Sequence, residues 1–198
     1  MSLNFAVFIS GGGTNLQALI DAVESGQIDA NLTLVISDRQ GAYGIERAKK
    51  HNIPCMVLNK KDFDGLKNRD ERIMEVLENH KIDFIMLAGY LSILTEKLVQ
   101  KYEKRIINIH PALIPKYSGK GFYGDVIHKA VLDNGDEETG VTLHFVDAGV
   151  DSGPVIVQEK VKVAKGESLE SLKAKIHALE HKLIVETAKN FSANRHKI

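Results

Sequence analysis

The stretch FISGGGTNLQAL, residues 8–19, decides the fold predicted for the first half of this chain. An apolar run ends at three consecutive glycines, Gly11 to Gly13, and a segment with helical spacing of apolar residues follows directly. Glycine lets backbone N–H groups come close to a ligand, and the first turn of a helix carries free N–H groups with a partial positive charge. The stretch therefore predicts a strand, a turn able to hold an oxyanion, and a helix.

The spacing of these glycines separates the turn from two well-known phosphate-binding loops. A dinucleotide fingerprint, G-x-G-x-x-G, would need glycine in place of Leu16, and a Walker loop would need Gly-Lys-Ser or Gly-Lys-Thr after the turn. The pattern therefore favours a monophosphate over a dinucleotide or ATP. Taken alone, the turn is explained equally well as a tight strand–helix connection without a ligand.

Strands and helices alternate up to about residue 110, which is typical of a doubly wound, mostly parallel α/β sheet. The residue pattern predicts strands at 5–10, 31–38, 55–58, 83–90 and 105–110, and helices at 15–26, 43–52, 66–80 and 95–102, the last with Thr95 as N-cap. An irregular segment at 110–125 follows. A helix near 125–133, strands at 139–146 and 154–163 and a helix near 168–190 then predict an antiparallel extension. We see no linker, so we expect one domain over residues 1–198 with two halves, 1–110 and 111–198.

Composition argues against several other classes of protein. Of the 198 residues, 43% are hydrophobic, and 26 basic residues balance 26 acidic ones, which disfavours a general nucleic-acid binder. The single cysteine, Cys55, allows no intrachain disulfide and argues against a cysteine-based zinc site, so we expect a core thiol. With no signal-peptide pattern and no membrane-spanning run, the sequence predicts a cytoplasmic protein that does not bind membranes.

A second signal is the segment INIHPALIP, residues 107–115. Asn108 and His110 are two positions apart at the end of a predicted strand, so their side chains face the same side. Ligands of open α/β sheets bind beyond the carboxyl ends of the strands, where these side chains would meet the glycine turn. The loop DAGVDSGPVI, residues 147–156, adds Asp147 and Asp151. A carboxylate near His110 would raise the pKa of the imidazole and orient its ring, but spacing does not choose between the two aspartates, and both fit ordinary turn chemistry.

Together these stretches resemble the phosphoribosylglycinamide formyltransferase family of the formyl-tetrahydrofolate enzyme superfamily. SGGGTNLQAL (10–19) is similar to the family's phosphate turn, and LAGYLSIL (87–94) is similar to its folate-pocket strand and loop. The catalytic segments are matched by NIHPALIPKYSGKG (108–121) and HFVDAGVDSGPVI (144–156), and the late helix by HALEH (177–181). The resemblance covers nearly the whole chain and implies the formyltransferase fold.

The resemblance implies formyl transfer from 10-formyltetrahydrofolate, as co-substrate, to the amine of glycinamide ribonucleotide in purine synthesis, with no metal. Asn108, His110 and Asp151 match the family's catalytic residues by position, which favours Asp151 over the other aspartate. Asn108 would donate to the formyl oxygen and protonated His110 would stabilise the oxyanion. Asp151 would pair with His110 and hold a water that moves the proton.

The resemblance also assigns binding residues. It makes 1–110 the nucleotide-binding half and 111–198 the folate and catalytic half. The ribonucleotide would be held by Gly12, Gly13, Thr14, Asn15 and Glu180. The folate would contact an apolar wall and the 147–153 loop, through Leu87, Ile93, Leu94, Val99, Asp147, Ala148 and Val150. Without the resemblance, Glu180 would be taken as a solvated helix charge and the apolar wall as core packing.

Two positions depart from the family pattern. Ser92 stands where many relatives have an arginine that contacts the folate's glutamate end, and Leu66 stands in place of a second arginine, with Lys67 and Arg69 nearby. These changes bear on anionic contacts and leave the chemistry in place. In the longer segment 120–128, Lys120 is a candidate anion ligand or a solvated loop lysine, and His128 is expected on an exposed helix face unless it lines the site.

Several alternatives stay open. Formyltetrahydrofolate hydrolase and methionyl-tRNA formyltransferase usually carry a further domain, for which we expect no room in 198 residues. A non-catalytic module would bind a ribonucleotide without turnover, which the presence of Asn108, His110 and Asp151 disfavours. The expected partners are the two small-molecule substrates, and a homodimer is one option for the assembly.

Overall fold

The elements follow one another along the chain in the predicted order. The computed structural model describes residues 2–193. Its strands are β1 (Leu3–Ile9), β2 (Ala30–Ser37), β3 (Cys55–Val57), β4 (Phe84–Leu87), β5 (Ile106–His110), β6 (Glu138–Phe145) and β7 (Val155–Lys162). Its α-helices are α1 (Thr14–Glu24), α2 (Tyr43–Lys50), α3 (Gly65–Asn79), α4 (Glu96–Lys101), α5 (Asp125–Asp133) and α6 (Leu169–Ala193).

The seven strands form one sheet in the order β3-β2-β1-β4-β5-β6-β7. Strands β1 to β5 pair in parallel, whereas β6 is antiparallel to both β5 and β7. The predicted mostly parallel, doubly wound sheet with an antiparallel C-terminal extension is thereby confirmed. The assignment of two functional halves within one domain stays a prediction.

The central strand β1 is buried on both faces of the sheet. Phe5, Val7 and Ile9 pack into a cluster with α1, α2 and α6, whereas Ala6 and Phe8 pack into a second cluster with α3 and α4. This alternation follows from the two-residue period of a strand. It explains why the run before the glycine turn is continuously apolar, as expected of a central parallel strand.

Two local predictions differ from the structure. Strand β4 ends at Leu87 rather than near residue 90, and the chain then turns along the carboxyl edge of the sheet. Thr95 occupies the N-cap position of α4, but its side chain makes no capping hydrogen bond. Its backbone N–H instead donates to Oδ2 of Asp70 at 2.5 Å, which ties the start of α4 to α3.

Candidate active site

A cavity of about 700 Å³ lies at the carboxyl ends of β1, β4 and β5. This is where ligands bind in open α/β sheets. Its wall combines the glycine turn, the loop after β4, the end of β5, the 119–125 loop and side chains of α6. It brings together ten of the residues predicted from the sequence: Gly12, Gly13, Thr14, Asn15, Ile93, Asn108, His110, Val150, Asp151 and Glu180.

Five predicted folate contacts lie elsewhere. Leu87 and Val99 are buried in the second apolar cluster, and Leu94 packs against that cluster. Asp147 shapes its own turn, because its Oδ1 accepts hydrogen bonds from the Gly149 N–H at 3.0 Å and the Ser152 hydroxyl at 2.8 Å. Neither Asp147 nor its neighbour Ala148 lines the cavity. Core packing and turn chemistry account for these five residues, and their contact with a folate stays a prediction.

The glycine turn has the backbone geometry of an anion site. Gly13 precedes α1 with φ 70°, in the left-handed region that favours glycine, and as the N-cap residue it has no side chain that could cap the helix. The first turn of α1 carries no acidic side chain that would neutralise the positive end of the helix dipole. The free N–H groups at this end of α1 therefore face the cavity without a competing carboxylate from the helix itself.

Asn15 and Glu180 form a buried pair at the back of the cavity. Asn15 Nδ2 donates to Glu180 Oε1 at 3.3 Å, although the two residues are 165 positions apart in the sequence. Burial raises the pKa of Glu180 to about 7, against the opposing effect of the Asn15 hydrogen bond. Among the described residues Asn15 Oδ1 has no hydrogen-bond partner. The solvated-charge interpretation of Glu180 is therefore wrong, and the pair offers acceptor oxygens to a ligand.

Asp151 is the centre of the polar cluster at the end of β5. Its carboxylate accepts hydrogen bonds from the Gly119 N–H at 3.0 Å and from Asn108 Nδ2 at 3.4 Å, and it lies 3.7 Å from His110 Nδ1. Its backbone has φ 55°, a conformation that aspartate tolerates better than most residues. The structure thus places Asp151, not Asp147, beside His110, in agreement with the family match. The catalytic roles of the three residues stay predictions.

The protonation of His110 differs from the expectation. Burial lowers the pKa of His110 below its ordinary value, and the neighbouring Asp151 and the carbonyl of Tyr117 oppose this shift without reversing it. The predicted rise in the pKa of His110 is therefore wrong, because the ring is buried as well as paired. For Asp151, burial alone would raise the pKa, but His144, His110 and the Gly119 N–H together lower it. The free site at neutral pH therefore holds a neutral imidazole and a carboxylate.

His144 is a further member of this cluster, and the sequence analysis assigned it no role. It lies on β6 directly opposite Asn108 on β5, and it is almost fully buried. Its Nδ1 donates to the carbonyl of Phe145 at 2.9 Å, because a carbonyl can only accept, and its Nε2 lies 3.1 Å from Asn108 Nδ2. Nε2 also lies 3.6 Å from Asp151 Oδ1. The antiparallel register of β5 and β6 was the missing signal, because neither spacing nor motif reveals which residue faces Asn108.

Arg69 lies in the core and is not available to a folate carboxylate. The side chains of Arg69 and Asp70 are fully buried and paired. The guanidinium donates to the carbonyl of Ile93 at 2.7 Å and to the hydroxyl of Ser92. With the Asp70–Thr95 bond, this pair fastens residues 92–95 to α3. Although Arg69 is close to Leu66 in the sequence, its buried side chain does not supply a surface cation.

The segment 120–128 contributes to the cavity wall at both ends. Lys120 lines the cavity, as does His128. His128 is 2% exposed, so the expected exposed helix face is wrong. Burial, with a smaller effect of His177, lowers the pKa of His128 to about 4. Its Nδ1 has no hydrogen-bond partner within residues 2–193.

The described part of the chain offers neither a metal-ion cluster nor a membrane-spanning helix. Between residues 2 and 193, no group of three or more His, Cys, Asp or Glu side chains is arranged to hold a metal ion. No helix in the same range combines the length and apolar character needed to cross a membrane.

Comparison with known proteins assigns the chain to a family. A sequence profile of the formyl transferase family matches residues 3–188. The chain belongs to the formyl transferase family. Phosphoribosylglycinamide formyltransferase of Haemophilus influenzae is 40% identical over 190 residues, covering 96% of this chain and 87% of that protein. The Escherichia coli protein of that name is 38% identical over 179 residues, covering 90% of this chain and 82% of that protein.

Solved structures of family members share the whole fold. Glycinamide ribonucleotide transformylase 1 from Geobacillus kaustophilus matches with a TM-score of 0.91 at 39% identity, over 97% of this chain and 100% of that one. The resemblance drawn from the three sequence motifs is therefore confirmed.

Proposed function

We propose that this chain transfers the formyl group of 10-formyltetrahydrofolate to the amine of glycinamide ribonucleotide, giving formylglycinamide ribonucleotide and tetrahydrofolate in purine synthesis. One observation carries the proposal. The glycine turn and the Asn108–His110–Asp151 cluster open into the same cavity. A ligand whose phosphate lies at the turn can therefore present its amine to the cluster. The names and high coverage of the relatives support the same reaction.

The nucleotide side of the cavity fits a phosphorylated sugar. Backbone N–H groups at Gly12, Gly13, Thr14 and Asn15 would bind the phosphate at the positive end of α1. Glu180 Oε and the unpartnered Asn15 Oδ1 would accept hydrogen bonds from sugar hydroxyl groups. A hydroxyl suits this position better than a second anion, since Glu180 is itself a carboxyl group.

The polar cluster can carry each proton that the reaction moves. The neutral amine attacks the formyl carbon, and negative charge develops on the formyl oxygen. Asn108 would donate a hydrogen bond to that oxygen, and His110, neutral in the free site, would stabilise the charge after it takes up a proton at Nδ1. Asp151, ionised at neutral pH, would hold a water that takes a proton from the amine and passes a proton to N10 of the folate, which leaves as an amine.

The formyl donor would occupy the apolar side of the cavity. Ile93, Tyr123 and Val150 all line the cavity and are about half exposed, at 58%, 54% and 47%. Exposed apolar side chains beside a polar cluster are typical of a binding site for a flat aromatic ligand. The 147–153 loop carries both Val150 and Asp151, so a folate bound there would contact the loop that presents the carboxylate.

The experiment is a spectrophotometric assay with 10-formyl-dideazafolate as formyl donor, with and without glycinamide ribonucleotide. Folate product that forms only with the nucleotide is the expected result. Product without the nucleotide would identify a hydrolase. Nucleotide binding without product under either condition would contradict formyl transfer and support a binding module.

Two coarser predictions belong with this function. We propose a cytoplasmic location, because purine synthesis uses soluble substrates, and a homodimer as the assembly. Multi-angle light scattering at several protein concentrations measures the mass of the assembly directly. A mass near 21.9 kDa at every concentration would contradict the dimer.

A further inference from the structure

The N-terminal half of α2 lies directly behind the glycine turn and holds two of its carbonyl groups. The N–H of Gly44 donates to the carbonyl of Gly11 at 3.0 Å. Arg47 Nε donates to the carbonyl of Gly12 at 2.9 Å. Neither Gly44 nor Arg47 lines the cavity, so both act on the turn from its far side.

These two hydrogen bonds fix the direction of two N–H groups. In a trans peptide unit, the C=O and the following N–H point in opposite directions. The Gly11 carbonyl faces α2, so the N–H of Gly12 points away from α2. The Gly12 carbonyl faces Arg47, so the N–H of Gly13 does the same. Within residues 2–193 neither N–H has an acceptor, and both residues line the cavity.

The guanidinium of Arg47 is itself held in place. Arg47 Nη1 donates to Oε1 of Gln17, the fourth residue of α1, at 3.2 Å. The guanidinium carbon lies 5.1 Å from the centre of the Tyr43 ring, within the range of a cation–π contact. A side chain braced by α1 and by its own helix can fix a carbonyl, which a freely moving surface arginine would not do.

Glycine at two positions allows this close approach. A Cβ added to Gly13 would lie 2.6 Å from Gly44 Cα, nearer than Cβ atoms come to backbone. A Cβ added to Gly44 would lie 2.5 Å from Ile9 Cδ1 and 3.2 Å from Gly13 Cα. A side chain at Gly13 would therefore push α2 away from the turn, and one at Gly44 would displace the end of the Ile9 side chain and press on Gly13.

We propose that Arg47 and Gly44 are positioning residues for phosphate binding, because they aim the N–H groups of Gly12 and Gly13 into the cavity. This inference rests on the proposed function in one respect, the assignment of a phosphate to the glycine turn. It adds that the phosphate site is built by two segments, 11–15 and 43–47. Arg47 acts through the peptide groups it orients and does not touch the ligand.

The test distinguishes the contribution of the phosphate to binding from that of the rest of the ligand. Isothermal titration compares glycinamide ribonucleotide with its dephosphorylated nucleoside on the wild type, on Arg47→Met and on the control Arg72→Met. Arg72 is a matched surface arginine on α3, paired with Glu75. We expect Arg47→Met to weaken nucleotide binding about 10- to 100-fold, as for lost hydrogen bonds to a charged group. Arg47→Met should leave nucleoside binding, kcat at saturating nucleotide and the KM for the formyl donor near their wild-type values. The control Arg72→Met should change none of these quantities and should also leave nucleotide binding unchanged.

Three results would overturn the inference. Equal losses for nucleotide and nucleoside would show a general disturbance of the cavity. A loss that disappears at about 0.5 M salt would show that only the charge of Arg47 matters, since such concentrations screen charges beyond a few ångström. If the wild type bound the nucleotide and the dephosphorylated nucleoside equally well, the glycine turn would not be a phosphate site.

A second variant covers a failure to fold. If Arg47→Met lowers the unfolding temperature too far for titration, Gly44→Ala takes its place, and we expect the same selective loss of the nucleotide. The proposed formyl transfer can be contradicted independently of the positioning role of Arg47. A phosphate preference that Arg47→Met abolishes, in a protein that transfers no formyl group, would support the positioning role and contradict the transferase.

Discussion

His110 donates its Nε2 proton to the carbonyl of Tyr117 at 2.8 Å, which leaves Nδ1 as the nitrogen that faces Asp151. A carbonyl can only accept, so this bond fixes the tautomer of the neutral ring. A second proton can then enter only at Nδ1, where the Asp151 carboxylate favours it. The imidazolium needed to stabilise an oxyanion therefore forms at one defined atom.

Replacing His110 by alanine should reduce kcat about 100- to 10,000-fold, the range for loss of a positioned acid–base group. Nucleotide binding should persist, because the glycine turn and Glu180 are unaffected. Steady-state kinetics and titration calorimetry measure the two quantities, with His80→Ala at the end of α3 as control. Near-normal turnover in the His110 variant would remove the catalytic assignment.

Asn15→Asp should weaken nucleotide binding by about tenfold or more, because the hydrogen bond from Asn15 to Glu180 is lost and a negative charge is placed beside the phosphate. The new carboxylate would lie beside Glu180, where Asn15 Nδ2 now donates at 3.3 Å, and it would also repel the phosphate. Calorimetry with glycinamide ribonucleotide measures the change, and Asn79→Asp on the exposed end of α3 is the control. Unchanged affinity would show that the Asn15 side chain has no role in the phosphate site.

Glu180→Gln should change how the stability of the free protein depends on pH. The pKa of Glu180 is raised to about 7 by burial, so its contribution to stability is fully present below its ordinary value of 4.5 and is lost as the pH rises through about 7. The free energy of unfolding of the wild type, relative to the variant, should therefore fall by about 2.5 kcal/mol between pH 5 and pH 8.

Urea denaturation of both proteins across this range measures the difference. His128 contributes with the opposite sign, because its lowered pKa makes stability fall as the pH drops from 6.5 towards about 4. That contribution is common to wild type and variant and cancels on subtraction. A difference that stays constant from pH 5 to pH 8 would show that Glu180 titrates normally.

Ser92→Ala should raise the KM for the formyl donor more than the KM for the nucleotide. The hydroxyl accepts a hydrogen bond from the buried Arg69, and Ile93 beside it lines the cavity. Loss of the hydroxyl should also destabilise the fold by about 1–3 kcal/mol, since a buried donor is left unpaired. Ser25→Ala at the end of α1 is the control. An unchanged KM for the formyl donor would show that the position of residues 92–95 does not affect donor binding.

The sequence predicted those parts of the site whose residues are neighbours along the chain. The glycine turn and the N-x-H-P segment are contiguous, and the rule that ligands bind at the carboxyl edge of the sheet brought them together. The contacts that sequence missed all depend on tertiary packing. His144 reaches Asn108 through strand register, and His128 is buried by the packing of α5 against α6.

The pKa of His110 was mispredicted for the same reason. A nearby carboxylate could be inferred from the motifs, but the degree of burial could not, and burial has the larger effect on the ring. The absence of a surface arginine at position 92 was visible in the sequence. The sequence did not reveal that Arg69 turns inward and holds the same loop, because arginines are rarely fully buried.

The Arg69–Asp70 pair has a consequence for efforts to make this protein more robust. Replacing a buried ion pair with well-fitting apolar side chains often leaves a protein as stable or more so, since no charge then has to be removed from water. Such a replacement here would also discard the donors and the acceptor that hold Ser92, Ile93 and Thr95. A redesigned chain could thus survive higher temperatures while losing discrimination among formyl donors, so heat resistance alone would be a misleading criterion for selecting variants.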